Sequence, residues 1–466
     1  MNLSGIFYYL GKINILIVFF SIINLLYCFY FDFKINLEIY FFTFLISFSY
    51  YLITFKIKFQ KKKFRTNHLI LFSILGWIIL PLIMSLPFWL GGYSDFLDSY
   101  FETVSGFSSF GASIFFNKIN ILDSPILLWR SSTQVVGSIF FIMTIILVFG
   151  NRALNIYPLK FITKKKDTVY FSLNFENVFN NTVYAYVIIF LISIFFLNLT
   201  DLRMLDKFNL SLTIISTGGF QSSSLILNNF DQIVISILLI FSSLNIFLIL
   251  GILKINNTYS YEEDKYFIIS FIFFIIVLII FSNNLSLSEM MIQLSSSISN
   301  SGINFTNNYN ENIMFILITA TFVGGCLISS TSGFKISRIL IIFNKIYFEL
   351  LKLLTPSAVI NSTIFKSSEK IEFKDFYSSS LLLLLYILLF IVFSFVLTLE
   401  NISFENSFLT SILLTFNTLP STMYLSEIVN FNSFTNLSKI LTILMLILSK
   451  VTPISILALI KYRFIK

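Results

Sequence analysis

The sequence predicts an all-α polytopic membrane protein in which four pseudo-symmetric helix–pore loop–helix repeats follow two N-terminal transmembrane helices. Three observations lead there. Hydrophobic residues make up 56% of the 466 and charged residues only 12%, with a mean hydropathy of +0.88; a soluble domain of this length needs far more charge to cover its surface. Apolar runs such as residues 13–30 and 381–399 approach or exceed the ~18 residues expected of a spanning helix. Between alternate runs, a short half-apolar segment ending in small residues recurs four times.

The runs give ten spans: 7–30, 37–57, 67–90, 125–150, 177–199, 229–253, 266–283, 312–347, 377–399 and 435–460. Lys56, Lys58, Lys61, Lys62, Lys63 and Arg65 follow the second span. Cytoplasmic loops collect Lys and Arg, so this segment and the N-terminus face the cytoplasm. Arg152, Lys160, Lys164, Lys165 and Lys166 fall on the same side, as do Lys366, Lys370 and Lys374, then Lys461, Arg463 and Lys466. The other side is acidic: Asp95, Asp98, Glu102, Asp123, Asp201, Asp206, Asp231, Glu289, Glu311, Glu400, Glu405 and Glu427, with Lys34, Lys118, Arg203 and Lys207 as its positive candidates. Diffuse negative charge outside raises the local cation concentration at a pore mouth, although ordinary exterior polarity explains it as well.

The formal net charge of +8 therefore reflects topology, and no nucleic-acid partner is expected. The N-terminal run lacks a small-residue cleavage site and continues into a second span, which argues against a cleavable signal. One histidine, His68, and two cysteines, Cys28 and Cys326, build no zinc site or disulfide framework. The cysteines read as small buried hydrophobes. No nucleophile–base set or metal cluster appears, so an enzyme and a bound cofactor are not expected. No Gly-x-x-x-x-Gly-Lys-Ser/Thr motif occurs, so nucleotide control would have to come from another chain.

The four recurring segments are residues 100–113, 207–220, 289–303 and 406–421. Each offers about ten helix-compatible residues, too few to span. Each ends in Ser, Thr or Asn, and three end in glycine: Gly111, Gly218 with Gly219, and Gly302. Non-helical backbone at membrane depth is tolerated only where protein buries it or water reaches it. Four half-helices entering from one side around a hole meet that condition. Their C-terminal ends carry roughly half a negative charge each, and the turns beyond can offer carbonyls in place of an ion's water shell. Glycine suits carbonyls aimed at an axis, because it tolerates backbone angles forbidden to other residues.

At this point the residues resemble the Trk/Ktr/HKT potassium transporter superfamily, most closely its TrkH-type membrane subunit. Trp77, Pro81, Leu86, Pro87, Phe88, Phe101 and Glu102, with residues 105–113 including Phe110, are similar to that family's first span and pore loop. Leu128, Trp129, Arg130, Ser131, Ser132, Thr133, Gln134 and Gly137 resemble its next span, with Ser138 in a second glycine position. Ser216, Thr217, Gly218, Gly219 and Phe220 resemble the second filter loop, and Ser299, Asn300, Ser301 and Gly302 the third. The resemblance covers about residues 66–460 in family order. It implies a selectivity filter formed by Phe110, Gly111, Thr217, Gly218, Gly219, Ser301, Gly302, Thr418 and Leu419, with potassium as the substrate held at Gly111, Gly219 and Gly302.

The fourth loop departs from the family. Phe416, Asn417, Thr418, Leu419, Pro420 and Ser421 stand where the family has Asn-x-Gly-Pro-Gly. Leu419 occupies the glycine position, and a leucine does not easily take glycine's backbone geometry. One carbonyl of the ring is expected to point elsewhere, with weaker potassium-over-sodium discrimination.

The span at 312–347 is interrupted by Gly324, Gly325, Cys326, Ser329, Ser330, Thr331, Ser332 and Gly333, followed by Lys335 and Arg338. Such a run reads as a broken helix or as a small-residue packing face. The resemblance implies the former, a gating loop below the filter. Lys450 stands where the family carries Arg. It lies near the middle of the last span, eleven residues from Lys461, about 16 Å along a helix. A charge there faces a cavity or a partner, here near the gate.

The resulting division is 1–65 for the N-terminal helices and basic loop, 66–165 for repeat 1, 166–260 for repeat 2, 261–350 for repeat 3 with the gating loop, and 351–466 for repeat 4. Membrane lipid surrounds such a chain. The resemblance further implies a homodimer with a cytosolic nucleotide-binding regulatory subunit, in a bacterial cytoplasmic (inner) membrane. The function expected is gated passive uptake of potassium. The alternatives are a proton- or sodium-coupled secondary transporter, a respiratory-complex subunit, or a weakly selective, sodium-conducting relative because of Leu419.

Overall fold

The computed structural model describes residues 3–56, 66–149, 175–222, 227–252, 262–282, 285–304, 311–355 and 373–451. Helices α1 (Leu3–Tyr30) and α2 (Lys34–Lys56) form an antiparallel pair, and α1 also packs on the core helices α3 (Thr66–Met84) and α6 (Ser124–Phe149). Between α3 and α6 lie the short α4 (Leu86–Leu90) and the half-helix α5 (Phe96–Phe107). The pattern returns as α7 (Phe175–Leu197), half-helix α8 (Met204–Ser216), then α9 (Asn229–Ser243) and α10 (Ile246–Ile252). It returns again as α11 (Glu262–Phe281), half-helix α12 (Leu287–Ile298), α13 (Glu311–Val323) and α14 (Ile336–Leu354). The last round is α15 (Phe373–Thr398), half-helix α16 (Phe404–Thr415) and α17 (Asn436–Lys450).

Contacts between successive rounds close a ring. α6 packs on α8, α9 on α12, α14 on α15, and α17 returns to α5. The side chains on the inner helices explain why: α6 is buried on every side over residues 125–147, whereas α11 and α15 bury only about a quarter of theirs and present Ile, Leu and Phe outward. An apolar exterior around a polar, Ser- and Thr-rich interior is stable only if the exterior solvent is lipid.

Seven described helices are long and apolar enough to span, or eight if the bent pair α9–α10 counts as one. This differs from ten for three physical reasons. The span read at 229–253 is broken at Leu244 and Asn245, with α9 and α10 meeting at 92°. The span at 312–347 is split by a non-helical stretch, leaving α13 at 13 residues. Only Asn436–Lys450 of the last span is helical among the described residues. The basic clusters that set the topology lie almost wholly outside the described residues, Lys56 and Lys374 excepted.

The acidic face is also less diffuse than its sequence suggests. Glu102, Asp206 and Asp231 are buried rather than exposed at a mouth. Lys439, not counted among the positives of that side, is itself buried and pairs with Asp98 at 2.7 Å, tying α17 to α5.

Candidate functional site: four converging turns and a loop beneath them

Each half-helix ends the same way. Ser109, Thr217, Asn300 and Asn417 take a left-handed conformation, with φ of +61°, +48°, +62° and +48°. Their amides donate to the carbonyls of Gly106, Ile214, Ser297 and Leu414, three residues back. The next amides, of Phe110, Gly218, Ser301 and Thr418, donate five residues back to Ser105, Thr213, Ser296 and Leu413 at 2.9–3.0 Å. This paired 5→2 and 6→1 arrangement is the Schellman termination. It reverses the chain at once, so the four segments beyond the helices turn toward one another.

They meet at Gly111, Gly219, Gly302 and Leu419. A Cβ built on Gly111 would lie 2.3 Å from the Cα of Gly219. One on Gly219 would lie 2.9 Å from each of three atoms, the carbonyl oxygens of Phe110 and Ser301 and the Cβ of Leu419. One on Gly302 would lie 2.5 Å from the Leu419 carbonyl. Phe110, Thr217, Ser301 and Thr418 line the same turns and are buried. Gly218 backs onto Gln134, whose side chain would be 2.4 Å from an added Cβ. With its amide oriented by its neighbours, Gln134 Oε1 accepts from the amides of Phe220 (2.8 Å) and Gly219 (3.2 Å).

The backbone corrects one expectation. Positive φ occurs at Gly111 (+83°) and Gly302 (+67°), but neither Gly219 nor Leu419 is among the residues with positive φ. The turns alternate, so glycine is required by conformation in repeats 1 and 3 and by crowding at Gly219. Leu419 therefore occupies its position without a left-handed backbone. Its side chain is what breaks the symmetry, with its Cβ directed at Gly219.

A second asymmetry escaped the sequence reading. Three turns are pinned by a hydroxyl reaching across the reversal: Ser105 Oγ donates to the Ala112 carbonyl, Thr213 Oγ1 to that of Phe220 (3.1 Å), and Ser296 Oγ to that of Ile303 (2.8 Å). The fourth equivalent is Leu413, opposite Pro420, and carries no hydroxyl. The signal was in the sequence as a Ser/Thr seven residues before the chain leaves each turn.

Charged groups brace the turns from behind. Glu102 accepts from Arg130 Nε at 2.9 Å, from Ser113 Oγ at 2.8 Å and from the Ile114 amide at 3.0 Å. Arg130 also donates to the Gln221 carbonyl (3.2 Å) and lies 4.2 Å from the centre of the Phe220 ring. One buried ion pair thus joins the first turn to the second. Between the third and fourth, Asn300 Nδ2 donates to Thr418 Oγ1 (3.1 Å) and Tyr424 to Ser297 Oγ (2.8 Å).

Residues 324–335 are non-helical and pass directly beneath. Gly324 (φ +64°) and Gly333 (φ +74°) touch at the neck of the loop, where a Cβ on Gly333 would lie 2.8 Å from the Gly324 Cα. Ser330 Oγ donates to the Ile215 carbonyl at 3.1 Å and accepts from Thr217 Oγ1 at 3.3 Å, so the loop contacts the underside of the second turn. Gly325 packs on Ser243 and Thr331, and Ser329 bonds Thr331 at 2.7 Å. Ser332 and Gly333 share a small cavity of about 20 Å³ with Lys335, Arg338, Tyr386 and Lys450. Lys450 is buried there with its ammonium 4.4 Å from the centre of the Phe141 ring.

The break between α9 and α10 is what holds the loop. Helix interruption frees backbone groups that need partners. Cys326 donates its amide to the Ser243 carbonyl (3.0 Å), and Ile246 donates to that of Ile328 (2.9 Å). Two carboxylates at the start of α11 complete the joint: Glu263 accepts from the Leu327 amide (2.7 Å) and Asp264 from the Asn245 amide (2.9 Å). Sequence reasoning missed both acids, because it placed them in a loop before a span.

No family model matches the chain. Over 366 residues it is 25% identical to an uncharacterized cation transporter of Methanocaldococcus jannaschii, covering 77% of this chain and 76% of that protein. It is 24% identical over 329 residues to the Trk system potassium uptake protein TrkH of Halomonas elongata, covering 66% and 68%. With the Escherichia coli K12 protein of the same name it shares 25% over 324 residues, covering 64% and 66%. Among solved structures, the potassium transporter TrkH of Vibrio parahaemolyticus matches with a TM-score of 0.83 at 18% identity, covering 98% of both chains. That match establishes the fold.

Proposed function

We propose that this chain is a TrkH-type relative within the Trk/Ktr/HKT superfamily and the pore-forming membrane subunit of a potassium uptake system. The observation that carries the proposal is the meeting of four Schellman-terminated half-helices at Gly111, Gly219, Gly302 and Leu419. Each brings the partially negative end of a helix to a common point. Carbonyls such as those of Phe110 and Ser301 converge there and can replace the water shell of a monovalent cation. Flux would be passive and driven by membrane voltage, with potassium as the substrate.

The same reading makes residues 324–333 and Lys450 a gate. The loop lies against the second turn, and its small side chains allow it to change course without displacing the helices on either side. Positive charge from Lys335, Arg338 and Lys450 around one cavity opposes an accumulating cation as long as the loop stays in place. The division of the chain after residues 65, 165, 260 and 350 belongs to this proposal. So do a homodimer, a cytosolic nucleotide-binding regulatory subunit, and a bacterial inner membrane with the N-terminus in the cytoplasm.

A second reading, weak discrimination between potassium and sodium, is favoured by one observation. The Leu419 Cβ stands where a methyl group on Gly219 would lie 2.9 Å from it, so a branched side chain borders the ring at this turn. Coupling to protons finds less support, since the buried Glu263 and Asp264 are engaged with backbone amides. The test of the function is complementation of a cell lacking potassium uptake, with and without the candidate regulator. Growth at low potassium supports the proposal, and no growth in either arm contradicts it.

A further inference from the structure

Lys335 leaves the loop with φ +80° and ψ 132°, a backbone that residues carrying a Cβ avoid. Its side chain does not extend toward water. It turns back into the loop and is only 3% exposed. The ammonium is surrounded by five oxygens: the carbonyls of Cys326 (3.0 Å), Ser329 (3.5 Å) and Thr331 (2.5 Å), and the hydroxyls of Ser329 (3.2 Å) and Thr331 (2.8 Å). An ammonium has three N–H donors. Five neutral oxygens exceed that number, so the shell suits a compact sphere of charge better than three directed bonds. Mixed carbonyl and hydroxyl oxygens are also the chemistry by which a filter replaces the water of a monovalent cation.

We propose that residues 326–331 form a cation-binding shell filled from within by the Lys335 ammonium, and that vacating it creates a site for a potassium- or ammonium-sized cation. The lysine acts as a tethered ion. It draws three carbonyls inward and thereby fixes the loop in the folded form that lies against the second turn. Lys335 is thus a positioning residue for the loop. Its effect on flux rests on the gating proposed above, whereas the shell itself does not. A guanidinium is planar and wider, so arginine at this position would not fit the shell.

The test compares crystals of the native protein and of Lys335→Ala, each soaked in rubidium, by anomalous diffraction. Density inside the shell of the variant and none in the native shell is the expected result. A variant shell without rubidium overturns the proposal. In the native background, Thr331→Val removes one oxygen and leaves the lysine in place. Amides 326–333 should then exchange with deuterium several-fold faster, while those of the four turns are unchanged; unaltered exchange overturns the proposal too. In liposomes, methylammonium should lower the leak through Lys335→Ala where choline does not. Equal leak in both would overturn the claim that the occupied shell holds the loop. Rubidium binding is read without transport. A shell that binds it in a chain that moves no potassium would defeat the function proposed above and leave this inference intact.

Discussion

The Cβ of Leu419 and the Cα of Gly219 face each other so closely that a methyl group on Gly219 would stand 2.9 Å from that Cβ. The glycine and the leucine therefore form a matched pair. Replacing Leu419 by glycine frees the axis without demanding a new backbone, since residue 419 is not left-handed. Leu419→Gly should sharpen potassium-over-sodium discrimination several-fold, read as a shift in reversal potential under opposed potassium and sodium gradients. Strong discrimination in the native protein with no gain in the variant would show that the leucine is neutral.

Gly219→Ala places its new carbon against three atoms of the other turns at once. It should abolish uptake while leaving the helices folded. Gly111→Val adds backbone strain to crowding, because φ there is +83°. Rubidium uptake and circular dichroism on the same preparations check both.

Glu102→Gln and Arg130→Gln should each destabilise the protein by about 3–5 kcal/mol, because each strands a buried charge. The double variant should recover part of that loss. Unfolding in detergent measures all three. Equal stability of single variants and native protein would show that the pair is not what joins the first two turns.

Ser296→Ala removes one of three hydroxyl clamps and should lower stability by ~1 kcal/mol. Leu413→Thr supplies the missing fourth. Its hydroxyl should steady the fourth turn, seen as slower exchange of the amides of Thr418, Leu419 and Ser421, with the rest of the chain unaffected.

Deleting residues 329–332 should raise leak conductance, and Lys450→Gln should raise it to a lesser degree by removing one of the charges around the inner cavity. Single-channel or flux recordings without a regulator test both. Equal or lower conductance would remove the loop from the mechanism.

The glycine turns were legible because a tight reversal at membrane depth restricts residue type within a few positions. Gly111, Gly219 and Gly302 could therefore be picked out from the chain alone, whereas the run from Gly324 to Gly333 reads equally as a packing face, and only the family resemblance pointed to a broken helix. The kink at Asn245 was not, because Ser242, Ser243 and Asn245 sit in an otherwise apolar run and the cause of the break lies elsewhere, in Cys326, Glu263 and Asp264. The inward turn of Lys335 was equally hidden. Its sequence neighbourhood reads as a basic helix start, and only the folded loop supplies the oxygens it meets. At Leu419 the left-handed backbone expected of a glycine position is absent, and its side chain stands beside Gly219.

The most direct measurement is rubidium flux into liposomes carrying the purified chain under an inside-negative voltage, compared with the same liposomes carrying Gly219→Ala. The four-turn account predicts voltage-driven flux through the native protein, reduced by excess external potassium and lost in the variant. Equal flux through both proteins would contradict it.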